Sequence, residues 1–263
     1  MFFELNKFIN NGFFQYCMTK EQYDEIAEEY SQMLNQTKKY VLIPTFKKLV
    51  GDVAGKSVLD LACGEGFFTR ILAQLNPEEV VGVDISNELI KRAIEIEEQN
   101  PLGINYETGN VLTLKPSRTF NIVSAVYLLN YSKTDDELAT MCKNIYDYLA
   151  TGGKFCAITT NPALKPMTDF EYERRFINVS GAKQFKDGDQ IKCEMSEEGK
   201  KPFEFVNYYW SKKTYERCLR NAGFKSIQWI DTIISQDGIK KYGNEYWSKF
   251  KKNPSPIGII CAK

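Results

Sequence analysis

Two carboxylates and two glycines stand in an order that could hold a nucleotide-type cofactor. The stretch Ser57-Val58-Leu59-Asp60-Leu61-Ala62-Cys63-Gly64-Glu65-Gly66-Phe67 passes from apolar residues into a glycine-containing turn, and a second apolar run, Val80-Val81-Gly82-Val83, ends in Asp84. The second carboxylate follows the glycines by roughly 20 residues, the separation of a strand, turn, helix and strand around an adenosine. Gly64 and Gly66 carry no Cβ, so a ligand can lie against the main chain there. Asp84, ending its strand, can accept hydrogen bonds from both hydroxyls of a ribose. A nicotinamide dinucleotide site would continue G-x-G-x-x-G, and Thr69 occupies its third glycine position. Asp60, just ahead of the turn, would repel a pyrophosphate but suits a ligand with cationic groups.

At these residues the chain resembles the class I S-adenosylmethionine-dependent methyltransferases. That family's first motif, an Asp followed by a G-x-G-x-G turn, stands here as Asp60-Leu61-Ala62-Cys63-Gly64-Glu65-Gly66, with Ala62 in place of the first glycine. The resemblance implies that Asp60 and the turn through Ala62, Cys63, Gly64 and Gly66 hold the methionine part of S-adenosyl-L-methionine. It assigns the ribose to Asp84, with Ile85 beside it. Gly109-Asn110-Val111 stands where the family has Gly-Asp-Ala or Gly-Asp-Val next to the adenine, and Asn110 still offers a donor and an acceptor. The run from Tyr23 to Tyr30 looks like the amino-terminal helix that closes over the methionine end. Val58 to Arg70 and Val81 to Ser86 are most similar to bacterial small-molecule methyltransferases such as the toxoflavin-pathway enzyme.

The elements that must position these residues follow from periodicity. Spaced Tyr23, Ile26, Tyr30 and Leu34 predict an amphipathic helix over 20–36, and 40–50 fits a second. Strands are expected at 57–62, 79–84, 104–107, 120–127 and 154–160, alternating with helices at 67–75, 87–99 and 134–149. Thr134 is a candidate cap, and Thr151-Gly152-Gly153 a helix stop. Ser211 caps a helix that Gly223 ends, and 224–231 and 256–262 supply two more strands. The alternation implies a doubly wound α/β fold with helices on both faces. By the resemblance, it is a Rossmann-like, mostly parallel seven-stranded sheet closed by an antiparallel pair. Residues 51–161 and 211–263 form the core, 1–50 supply covering helices, and the proline- and aromatic-containing 162–210 reads as a substrate lid.

Methyl transfer from a sulfonium is an in-line displacement with an excellent leaving group, so alignment supplies much of the rate. The chain has no histidine, and tyrosine or carboxylate must therefore take any proton. Tyr127 at the end of the fourth strand and Glu171, Tyr172 and Glu173 in the lid are the candidates, with Tyr127 also beside the cofactor and Tyr208 and Tyr209 as pocket walls. The acceptor is expected to be a small aromatic or heterocyclic molecule methylated on O or N.

Other readings are separable. A nucleic-acid base methyltransferase would carry an Asn-Pro-Pro-Tyr-like motif where this chain has Tyr127-Leu128-Leu129-Asn130-Tyr131, and a metal-dependent catechol-type enzyme would need a carboxylate there. A nicotinamide-dependent oxidoreductase, a silent cofactor-binding protein and a protein or RNA methyltransferase remain rivals. Lys plus Arg and Asp plus Glu both number 34, so no global positive excess points to nucleic acid or anionic membrane. The cysteines number seven, an odd count, and Cys63, Cys156 and Cys261 sit in apolar runs, so reduced thiols are expected, while the lack of a C-x-x-C pair and of histidine argues against zinc. No segment has the apolar length of a membrane span, and a cytoplasmic location is expected.

Overall fold

Apolar runs bounded by glycines and polar turns become the strands of one central sheet. The computed structural model describes residues 36–167, 169, 174–195 and 203–263; the expected helix over 20–36 lies almost wholly outside them. A π-helical turn, Lys38–Leu42, leads into α1 (Ile43–Val50). There follow β1 (Ser57–Leu61), α2 (Phe67–Ala73), β2 (Glu79–Asp84), α3 (Asn87–Gln99), β3 (Asn105–Thr108) and β4 (Phe120–Val126). After α4 (Asp135–Tyr148) and β5 (Leu149–Thr160) come β6 (Arg174–Asn178), β7 (Gln190–Met195) and β8 (Phe203–Tyr208). The chain closes with α5 (Lys212–Ala222), β9 (Ser226–Ile230), α6 (Gln236–Lys252) and β10 (Pro256–Ala262).

The seven-stranded sheet has the order β3-β2-β1-β4-β5-β10-β9. Strands β1 to β5 pair in parallel, and β10 is antiparallel to both β5 and β9. The order reverses between β1 and β4, so a crevice opens beyond their carboxyl ends, where open α/β sheets bind ligands. Side chains alternate across the sheet. Leu59, Leu61, Val123 and Ala125 face α4 and α5, whereas Val58 and Ile122 join Phe46 and Leu49 of α1 on the opposite face. Each large aliphatic buried in this way contributes about 1.5–3 kcal/mol, so the strand ends are held rigidly.

Strands β6, β7 and β8 form a separate antiparallel sheet within the segment expected to be a lid. It has a core of its own in Leu164, Phe176, Phe185, Ile191 and Tyr209.

Local signals set several boundaries. Thr134 accepts from Glu137 N at 3.1 Å and Ser211 from Thr214 N at 3.3 Å, so both expected caps form, and Gly223 ends α5 with φ 119°. The stop at Thr151-Gly152-Gly153 is corrected: α4 ends at Tyr148, and Leu149–Thr160 is one strand with a register shift opposite Phe120/Ile122. Gly152 lies inside that strand with φ 76°, so the glycines serve an irregular strand rather than a helix end. Helix α6 was not expected. It is kinked at Gly243 (φ 78°) and held by packing, with Trp247 Nε1 donating to Gly238 O at 2.9 Å and Tyr40 against both Tyr242 and Trp247.

Candidate cofactor and acceptor site

The turn after β1 is fastened by carboxylates. Asp84 Oδ2 accepts the backbone N–H of Gly64 at 2.8 Å, and Oδ1 accepts that of Ser86 at 2.9 Å. Ser86 in turn caps α3, accepting from Leu89 N at 3.2 Å. Asp60 is only 1% exposed and accepts from Thr69 Oγ1 at 2.7 Å and Ser124 Oγ at 2.6 Å. Burial pushes its carboxyl up to about 6, with the two hydroxyls pulling it back and Asp84 adding to the rise. At neutral pH it is therefore still mostly ionised, a buried negative charge at the wall of a crevice.

The two glycines of the turn have different reasons to be glycine. Gly64 has φ 58°, and a Cβ there would meet nothing within 4 Å among the described residues: it would project into open space at the cavity wall. Gly66 has φ 87°, and a Cβ would come within 2.1 Å of the Tyr106 hydroxyl. Tyr106 of β3 reaches across Gly82, where a Cβ would also strike its ring at 2.7 Å. Gly66 does not line the cavity; its missing side chain makes room for Tyr106. The Tyr106 hydroxyl is buried without a hydrogen-bond partner among the described residues, and burial holds its proton on well above the ordinary phenol range.

A cavity of about 490 Å³ opens at the carboxyl ends of β1, β2 and β4. It brings together nine of the sequence-expected residues: Asp60, Ala62, Cys63 and Gly64 from the end of β1 and the turn after it, Asp84 and Ile85 from the end of β2, Asn110 and Val111 after β3, and Tyr127 after β4. Ala62 and Tyr127 hold φ of 56° and 58°, a left-handed conformation uncommon for residues with a Cβ and concentrated at functional sites. Tyr208 also lines the cavity. Tyr209 does not; it stacks on Phe185 and donates its hydroxyl to Pro162 O at 2.6 Å. Tyr23, Tyr30, Glu171, Tyr172 and Glu173 lie outside the described residues.

A second, smaller cavity of about 60 Å³ lies against the three-stranded sheet. Lys38, Leu42, Tyr127 and Tyr131 border both cavities, so the two meet there. Strand β8 stands between them: Val206 and Tyr208 face the larger, Phe205 and Asn207 the smaller. Lys38 was missed in the sequence because it sits on an unremarkable Thr-Lys-Lys-Tyr stretch. Its Nζ lies 3.9 Å from the centre of the Phe67 ring; burial lowers its pKa, while Glu65 pulls it back up. Arg174 and Asn207 were likewise illegible, because only the small sheet brings them to the cavity.

Fold and cavity together define a doubly wound protein with a cofactor crevice at its topological switch point. Residues 58–153 match the model of the methyltransferase domain family. The chain is 28% identical over 232 residues to the demethylmenaquinone methyltransferase of Lactococcus lactis subsp. lactis (strain IL1403), covering 81% of this chain and 86% of that protein. It is 35% identical over 112 residues to a ubiquinone biosynthesis O-methyltransferase of Coxiella burnetii (strain Dugway 5J108-111), a match covering 42% of this chain and 46% of that protein. In fold it is similar to an S-adenosylmethionine-dependent methyltransferase from Clostridium acetobutylicum ATCC 824, with a TM-score of 0.62, 17% identity, and coverage of 91% of this chain and 98% of that one. The chain carries a methyltransferase domain on the doubly wound fold of S-adenosylmethionine-dependent methyltransferases, and it is an enzyme that uses S-adenosylmethionine. The crevice fits its cofactor: the space at Gly64 is open among the described residues, and the carboxyl groups of Asp60 and Asp84 line it, as a ligand with ammonium, sulfonium and ribose groups requires. When bound, S-adenosylmethionine supplies an electrophilic methyl group.

Proposed function

We propose that this methyltransferase acts on the O or N atom of a small aromatic or heterocyclic acceptor. The observation that carries the reading is the meeting of the two cavities at Tyr127, whose left-handed backbone presents it at the end of β4. The larger cavity then takes the cofactor. Asp60 and the backbone from Ala62 to Gly64 hold its methionine part, Asp84 with Ile85 its ribose, and Asn110 with Val111 its adenine. The smaller cavity and its junction with the larger receive the acceptor, and residues 162–210 cover it as a lid. Tyr127 and Tyr208 offer aromatic faces to orient a flat ring, which suits a reaction whose rate comes largely from alignment.

The names of the two relatives support a small-molecule acceptor, one specifying demethylmenaquinone and the other O-methylation in ubiquinone biosynthesis. The test is release of S-adenosylhomocysteine, followed by mass spectrometry with phenols, hydroxyquinones and heteroaromatic amines as acceptors. Turnover of compounds in these classes is the expected result. Preferential methylation of peptides or RNA, or tight donor binding with no turnover of any acceptor, would overturn the reading.

A further inference from the structure

Three buried side-chain polar atoms lack a hydrogen-bond partner among the described residues: Tyr106 Oη, Asn130 Nδ2 and Asn207 Oδ1. Of these residues, Asn207 alone borders one of the two cavities described above. It is 4% exposed, and its Nδ2 donates to Cys193 Sγ at 3.6 Å. A buried amide oxygen left in this state costs about 1–3 kcal/mol, which a fold can shed by carrying leucine instead. On the same wall stands Arg174, 7% exposed, giving an N–H to Ser255 Oγ at 3.3 Å. A guanidinium has donors only. The rest of the wall includes Phe176, Met195 and Phe205, which suit the edge of a flat ring.

We propose that the smaller cavity is an anchor for a hydroxyl group carried on the acceptor ring, held between Arg174 and Asn207. A hydroxyl both accepts and donates, so it takes an N–H from Arg174 and gives its own proton to Asn207 Oδ1. An apolar substituent would leave Asn207 unsatisfied, and an ammonium, which only donates, would leave the Arg174 N–H without an acceptor. The volume of about 60 Å³ suits one substituent, with the ring behind it at the junction formed by Tyr127 and Tyr131. Cys193 remains a neutral thiol, because burial raises it far more than the nearby Arg174 lowers it, so it adds no competing anion. Arg174 and Asn207 are thus specificity-determining residues, and the inference rests on the reading that this cavity receives the acceptor.

Ligand-observed ¹⁹F NMR tests it on the full chain saturated with S-adenosylhomocysteine, with 4-fluorophenol, 4-fluorotoluene and 4-fluorobenzoate as probes. Only 4-fluorophenol should broaden and shift. Asn207→Leu should weaken that binding at least tenfold, leave S-adenosylhomocysteine affinity within twofold by calorimetry, and melt no lower than the parent chain because the orphaned amide is gone. Equal binding of the toluene, preference for the benzoate, or unchanged phenol binding in Asn207→Leu each overturns the proposal. If the parent chain fails to bind S-adenosylhomocysteine at all, the assignment of the larger cavity falls first. Donor-product binding without phenol binding sinks the anchor alone.

Discussion

Asp84 Oδ2 accepts the backbone N–H of Gly64 at 2.8 Å, so the carboxylate that closes β2 also fastens the turn that follows β1. One side chain thereby sets the shape of the crevice and offers charge to whatever enters it. A carboxylate has acceptor sites for about four hydrogen bonds, so backbone amides and ribose hydroxyls can share it.

Replacing Asp84 removes both roles at once. Asp84→Ala should weaken S-adenosylmethionine and S-adenosylhomocysteine alike, by about 1.5–3 kcal/mol, through loss of charge-assisted hydrogen bonds. It should also lower stability, because the amides of Gly64 and Ser86 lose their acceptor. Calorimetry with both ligands and thermal melts of the ligand-free chain check the two halves separately. Unchanged affinity in a folded variant would remove the ribose role.

The two glycines of the turn should fail differently. Gly66→Ala collides with the Tyr106 hydroxyl and ring, so its main loss should be stability, partly restored when Tyr106→Ala is added. Gly64→Ala meets no atom of the described residues and is opposed by its φ of 58°, a strain of about 1–2 kcal/mol. Its excess loss should therefore appear in cofactor affinity. Tyr106→Phe alone should be neutral or stabilising, since it deletes a buried hydroxyl without a partner among the described residues. Melting temperatures of the four variants beside their S-adenosylhomocysteine affinities distinguish the cases.

Asp60 makes a pH-dependent prediction. Its carboxyl is raised to about 6 from an ordinary value near 3.8, chiefly by burial, so between those values the folded chain binds more protons than the unfolded one. Stability contributed at this site is therefore fully present below about 3.8 and lost as pH rises through about 6. The ligand-free Asp60→Asn variant should melt at or above the parent chain at pH 7, and the difference should shrink toward pH 4. Cofactor affinity runs the other way. In the parent chain it should fall as pH drops through about 6 and the anion is neutralised, whereas in Asp60→Asn it should be weaker and flat with pH. Parallel pH profiles for the two proteins would show that Asp60 does not titrate in this range.

Much of this architecture is legible in the chain because its signals are local. The runs ending at Leu61 and Asp84, the caps Thr134 and Ser211 and the stop at Gly223 each act within a few residues. Partnerships between distant residues are not legible in this way. Gly66 resembles a ligand-facing glycine until Tyr106 arrives from β3. Helix α6 carries Gly238 and Gly243, which argue against a helix in isolation, and it forms because Gly238 seats against Tyr40 and Trp247 buries its ring. Strands β6 and β7 mix inward Phe176, Ile191 and Cys193 with the outward ion pairs of Arg175 and Lys192 to Glu194. Their role at the second cavity depends wholly on where the small sheet docks.

The last prediction concerns proton removal in a chain without histidine. Of the expected candidates, Tyr127 is the one among the described residues, and it stands where the two cavities meet. Lys38 borders both cavities beside it, with a pKa lowered by burial. A lysine that gives up its proton more readily than usual can take one from a phenol or amine. If alignment dominates, Tyr127→Phe should cost about tenfold to a few hundredfold in kcat without abolishing turnover. Lys38→Met should cost a comparable factor and also remove the rise of kcat with pH, while leaving S-adenosylhomocysteine affinity within about threefold. The rise exists because turnover requires the neutral amine, whose fraction grows as pH approaches the lowered pKa from below. Steady-state kcat across pH 6 to 10 for the parent chain and both variants is the measurement. A loss above about 10⁴-fold from Tyr127→Phe alone would show obligatory chemistry at the phenol, and an unchanged pH profile in Lys38→Met would remove the lysine from proton transfer.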